Sequence, residues 1–158
     1  MDIGSGSGFP SATLSNFAPH PFVIDGVECN SMEGFLQSLK FSNPEMQKEV
    51  CKLVGKAAKF KDKKKKWWRT QTLWWQGVEI ARSSEEYQIL LDRAFDALAQ
   101  NSGFRAALLA TGNSVLTHSI GKTNIPETVL TRQEFCSRLT KIREELRKEN
   151  VKWHTADM

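Results

Sequence analysis

Glu33, Gln37 and Lys40 stand at i, i+4 and i+7, which at about 100° per residue puts a carboxylate, an amide and an amine on one narrow helical face. Such a set suits a polar ligand. The carboxylate stabilises developing positive charge or orients water, the amide reads a polar edge, and the amine meets an anion or assists a departing base. Lys40 is also a candidate nucleophile toward an abasic sugar. The same spacing equally describes a solvated face on which Glu33 only completes a capping box with Asn30.

A second concentration of reactive side chains lies at residues 59–69, where lysines lead into adjacent tryptophans, followed by Trp74 and Trp75. Lysines neutralise phosphates and aromatic rings stack on or wedge beside bases. Lys63, Lys64, Lys65, Lys66, Trp67, Trp68 and Arg69 are therefore candidate nucleic-acid contacts. The alternative is a solvated loop whose tryptophans help the core, although four tryptophans between positions 67 and 75 exceed what a small core requires. The Gly-Ser run at positions 4–8, with Gly6 at its centre, could wrap a phosphate with backbone N–H groups, or form a flexible tail. His118 is a candidate acid, base or ligand contact, and equally a satisfied strand histidine.

Composition narrows the chemistry. Three histidines without a pair one helical turn apart, and three cysteines at 29, 51 and 136, provide neither a zinc site nor a disulfide framework. Metal-free and cofactor-free chemistry is expected, with reduced thiols. A net charge of +4 and a pI near 9.0 fit an anionic partner, either DNA or a phosphorylated nucleoside-like molecule. The start lacks a secretion signal and no stretch is long enough to span a bilayer, so a cytoplasmic location without membrane contact is expected.

The positioning elements follow from local patterns. Asp25-Gly26 between short apolar runs predicts a hairpin over 22–29. Asn30 is expected to cap a helix through Phe35, Leu36, Leu39 and Phe41. One amphipathic helix is expected from Pro44 to near Lys59, and another after a capping box at 83–86 through Tyr87, Leu90, Leu91, Ala94, Phe95 and Leu98. A short helix over 104–111 closes at Gly112, and 115–120 reads as a strand. Thr131 and Glu134, flanked by Leu130 and Phe135, open the last helix. The 158 residues suit one core, expected over 1–150 with a loose tail at 151–158. The fold class is α+β, mainly helical, with a small hairpin and short strands.

LSNFAPHPFVIDG at 14–26, followed by SMEGFLQSLKF at 31–41, resembles the NADAR family, the NAD- and ADP-ribose-associated, YbiA-like proteins. The resemblance continues more weakly through FRAALLATGNSVLTHSIG at 104–121 and the last helix. It implies a YbiA-like single domain and a metal-free N-glycosidase acting on riboflavin-pathway ribosylamino intermediates or ADP-ribosylated bases. It assigns the reacting glutamate to Glu33, with Gln37 and Lys40 matching beyond it, Asn16 in the Ser-Asn-Phe block, and Trp75 or Trp74 as a substrate-contacting tryptophan. Two departures stand out: Gly34 replaces the family histidine after the glutamate, and the later Asp-x-x-Trp-Gly block has no counterpart after Ser114. Gly34 is expected to leave room for a bulky substituted base.

Three functions remain open at this level. A glycosidase on DNA would remove a modified base, or an ADP-ribose from a base, in repair or anti-phage defence. A metabolic glycosidase would cleave a free phosphorylated ribosylamine. A binding module would hold ADP-ribose or a nucleotide without turnover.

Overall fold

The computed structural model describes residues 1–61 and 65–156, with side chains described through Asn150. Lys63 and Lys64 lie outside the described residues. The chain begins as an arm with a 3-10 turn at Ala12–Leu14 and then forms hairpin β1 (Phe22–Ile24) and β2 (Val27–Cys29). The pairing is antiparallel, with Phe22 opposite Cys29 and Ile24 opposite Val27. Asp25 (φ 49°) and Gly26 (φ 77°) both take left-handed backbone, the requirement of a two-residue primed turn.

Helix α1 (Met32–Ser38) is capped by Ser31, whose hydroxyl accepts from the Gly34 N–H at 3.0 Å. The expected cap, Asn30, is used differently: its N–H donates to Cys51 O and its amide to Lys52 O, tying the hairpin to the next helix. With the cap moved on by one residue, Glu33 falls at the second helical position. The capping-box role therefore does not apply to it.

The single helix expected after Pro44 is two: α2 (Pro44–Cys51) and α3 (Gly55–Phe60). The break has a packing cause. Gly34 of α1 approaches the carbonyls of Val50, Cys51 and Leu53 so closely that an added Cβ would lie 2.6 Å from Leu53 O, and Gly55 redirects the chain at φ 56°.

A short helix α4 (Trp67–Thr70) leads to a second hairpin, β3 (Thr72–Trp75) and β4 (Val78–Ala81), which the sequence patterns above did not anticipate. Its turn, Gln76-Gly77, also has positive φ at both positions. The signal was present as a polar residue plus glycine between apolar runs, obscured by the neighbouring tryptophans.

Helix α5 (Glu85–Leu98) is capped by Ser84, which accepts from Tyr87 N, one residue later than the expected box. Helix α6 (Ser102–Ala110) ends ahead of Gly112 at φ 59°. Residues 115–120 form no strand. Only Thr117 bridges, to Asp2, because the N-terminal arm gives it one short partner and no longer edge to extend along. After a 3-10 turn at Ile125–Glu127, α7 (Arg132–Ala156) starts with the expected reciprocal box: Thr131 Oγ1 accepts from Glu134 N and Glu134 Oε1 from Thr131 N.

Helix α1 packs on α2 and α3, α5 lies against β1, and α6 packs on α7. Phe22, Phe35, Trp75, Tyr87, Phe95, Phe104 and Phe135 belong to one buried cluster. Among the described residues, seven α-helices and two small antiparallel hairpins make the α+β, mainly helical fold expected from the sequence. Among the described residues no helix is long and apolar enough to cross a membrane.

Candidate functional site

The polar face of α1 opens on a cavity of about 340 Å³. Glu33, Gln37 and Lys40 line it together with Asn16 from the preceding loop, Trp67 from α4 and His118 from the segment before α7, so six of the sequence candidates converge. Their convergence depends on long-range ties. The Glu33 N–H donates to Asn16 O at 3.0 Å, which fastens the 15–18 loop to the first turn of α1.

Within α1, Gln37 Nε2 donates to Glu33 Oε1 at 2.8 Å. A carboxylate offers acceptors only, so this bond fixes which end of the Gln37 amide faces Glu33. Gln37 is 6% exposed, and its Oε1 is buried without a hydrogen-bond donor among the described residues. An unmet buried acceptor costs about 1–3 kcal/mol.

His118 is held from behind. Its Nδ1 lies 2.8 Å from Ile3 O, and its ring meets Phe135 edge-on at 5.1 Å. A carbonyl only accepts, so Nδ1 carries the hydrogen and donates it to Ile3 O. The arm that supplies Ile3 is pinned by Asp2, which accepts from Ser119 Oγ at 2.6 Å, Ser119 N at 2.8 Å and Thr117 Oγ1 at 2.9 Å. Those hydrogen bonds, led by the Ser119 hydroxyl, hold the Asp2 carboxyl down at about 2.

The opposite wall, Thr128 to Leu130, hangs on a buried ion pair. Arg82 Nε donates to Thr128 O at 2.7 Å while its other nitrogens bind both Glu134 oxygens, at 3.1 and 2.6 Å. Tyr87 OH donates to Val129 O at 2.5 Å. Burial works to raise the Glu134 carboxyl, but hydrogen bonds from Arg82, Gln88 and the Thr131 N–H together hold it below the usual range. Sequence reading found Glu134 only as a cap and missed Arg82.

Lys59 and Lys122 also line the cavity, so with Lys40 three amines face one carboxylate-bearing space. Neither was singled out from sequence. Lys59 belongs to the lysine-rich stretch, but Lys122 carries no local signal and comes in only because its segment folds over the cavity. Among the described residues no group of three His, Cys, Asp or Glu could hold a metal.

The basic tryptophan run divides. Trp67 is buried and lines the cavity, whereas Trp68 is half exposed with Arg69 over its ring at 5.4 Å. Lys65 lies over Phe41 at 4.9 Å, and Lys66 is exposed. Gln71 joins this run to the 3-10 turn, donating to both Trp68 O and Pro126 O. Three expectations fall outside the cavity. Trp75 is buried with Nε1 donating to Asp25 Oδ2 at 2.8 Å and its ring against Phe35. Gly6 is exposed and it is Ser5 that reaches the lining. Gly34 faces the α2–α3 carbonyls, so its missing side chain makes room for backbone and none for a substrate.

Residues 8–144 match the family described as bacteriophage protein GP30.3. The chain belongs to that family. It is 41% identical over 152 residues to an uncharacterized 17.1 kDa protein from the Gp30-rIII intergenic region of Enterobacteria phage T4, covering 92% of this chain and 98% of that one. The fold of this GP30.3-family chain is similar to the NMR structure of the E. coli protein YbiA, with a TM-score of 0.60, 20% identity, and coverage of 96% of this chain and 86% of that chain. The YbiA-like resemblance read from residues 14–41 is thus borne out in the architecture.

Proposed function

We propose that this chain is an N-glycosidase that uses Glu33 to break a bond between a sugar C1 and a nitrogen, on a substrate carried by DNA. The observation that carries the reading is the Glu33 carboxylate in the cavity, hydrogen-bonded by Gln37, with Lys40, Lys59 and Lys122 around the same space. C1–N cleavage passes through an oxocarbenium-like state that a carboxylate stabilises while it orients or deprotonates water. Lysines offset substrate phosphates, and Lys40 assists the departing base. His118 and Asn16 complete the polar lining.

The DNA assignment is supported by the exposed Trp68–Arg69 pair and by Lys65 and Lys66 beside cavity-lining Trp67, a basic and aromatic surface suited to a displaced strand or extruded base. The size of the cavity favours a second reading. About 340 Å³ suits a free phosphorylated N-riboside without any polymer.

The test incubates the protein and Glu33→Gln with unmodified, ADP-ribosylated and hypermodified DNA and with a phosphorylated ribosylamine. Abasic sites, bases and ADP-ribose are scored. Glu33-dependent release from a DNA is expected. Release only from the free compound moves the substrate to the second reading, and tight binding without release by either protein makes the chain a non-catalytic module.

A further inference from the structure

His118 is half-buried in the cavity wall, and two separate contacts fix its ring. On one side Nδ1 donates to Ile3 O at 2.8 Å. On the other the ring fills the place of a missing side chain, since a Cβ on Gly121 would lie 2.6 Å from His118 Cδ2. That leaves Nε2, which has no partner among the described residues and is not closed off from solvent. One nitrogen anchored and the other open is the arrangement of a histidine that meets a ligand.

The anchor depends on Asp2. Its carboxylate accepts from Thr117 Oγ1, Ser119 N and Ser119 Oγ, so every donor comes from the two residues that flank His118. Among the described residues no Lys or Arg pairs with it. Ile3 follows directly, fully buried, and its N–H donates to Thr117 O at 2.8 Å. The arm and the 117–119 segment are thus clasped through side chain and backbone together.

We propose that Asp2 is a positioning residue for a ligand-contacting His118: by clasping residues 117 and 119 it sets Ile3 O against Nδ1, keeps the hydrogen on that nitrogen, and leaves Nε2 for the substrate. Which ring nitrogen carries the hydrogen is set by the bond the other one lacks or makes, so a loosened arm frees the tautomer as well as the ring angle. The geometric part stands apart from the glycosidase reading. The effect on turnover rests on that reading.

The experiment records long-range proton–nitrogen NMR spectra of the His118 ring, at a pH where it is uncharged, for the wild type, Asp2→Ala and Trp75→Phe, and measures kcat/KM on the substrate that Glu33 cleaves. The wild type is expected to show a single tautomer with its hydrogen on Nδ1, and Asp2→Ala a mixture of both. Trp75→Phe, altered outside the cavity, should keep the wild-type pattern. Asp2→Ala should lower kcat/KM about tenfold or more, yet by less than about twofold in a His118→Ala background, because it acts through that ring. A mixture in the wild type, an unshifted tautomer in Asp2→Ala, or two effects that multiply would each overturn the proposal. Absence of Glu33-dependent turnover on any substrate overturns the glycosidase reading and leaves the spectra to decide the role of Asp2. Should Asp2→Ala not fold, Thr117→Val joined to Ser119→Ala removes both hydroxyl donors from the carboxylate, and an unchanged tautomer there overturns the proposal in the same way.

Discussion

Arg82 and Glu134 meet as a buried bidentate ion pair, and the same guanidinium holds Thr128 O in the cavity wall. Arg82 is fully buried, with Tyr87 stacked at 4.8 Å from its guanidinium carbon. Removing it strands a carboxylate. Arg82→Ala is expected to destabilise the protein by about 3–5 kcal/mol in denaturant unfolding, and a loss below about 1 kcal/mol would contradict the assigned role.

Glu134 adds a pH dependence with a definite sign. Its folded pKa is depressed below the ordinary glutamate value of 4.5, so its contribution is complete above that pH and declines as pH falls through the folded value. Stability measured from pH 7 downward should start to fall near pH 4.5, and Glu134→Gln should show a shallower decline from a lower starting point. Equal slopes for the two proteins would assign the acid loss elsewhere.

Gly34 tests the packing of α1 against the α2–α3 break. Gly34→Ala places its Cβ 2.6 Å from Leu53 O and 3.0 Å from Cys51 O and Val50 O, all backbone atoms. A cost of about 1–3 kcal/mol is expected despite the better helix propensity of alanine. Gly34→His should fail to fold. An alanine variant as stable as the wild type would show that the helices can separate freely.

Trp75 separates structural from substrate roles. Trp75→Phe removes the bond to Asp25 but keeps an aromatic against Phe35. Thermal unfolding should show a loss of about 1 kcal/mol with KM unchanged. A raised KM at unaltered stability would place the ring on the substrate.

The basic surface predicts salt behaviour. Exchanging Lys65 and Lys66 for Ser should leave the melting temperature unaltered, weaken DNA binding, and lower the salt slope by about 0.7–0.9 for each phosphate no longer neutralised. Trp68→Ala should weaken binding with the slope retained, since stacking releases no counterions. An undisturbed slope in the double lysine variant would remove DNA from the partners.

Much of the local structure was legible in the chain. Asp25-Gly26, Ser84, and the Thr131/Glu134 box act within four residues of themselves, so their types specify hairpin and helix starts without help from the fold. The spacing of Glu33, Gln37 and Lys40 likewise placed them on one face, because helical pitch is a property of the backbone alone.

What only the tertiary structure decided is which other groups meet that face and what each then does. Asn16, Lys59, His118 and Lys122 come from segments far apart in sequence: Asn16 is held by the Glu33–Asn16 tie, His118 by the Ile3–His118 bond, Lys59 comes in on α3, and Lys122 lies where its carbonyl accepts from the Arg132 N–H. Gly34 and Trp75 ran the other way, their types compatible with a site and their positions taken by packing. Local periodicity carries direction around a helix but no distance between helices. The buried acceptor of Gln37, set by both its helix and its surroundings, exists only once the chain has closed over it.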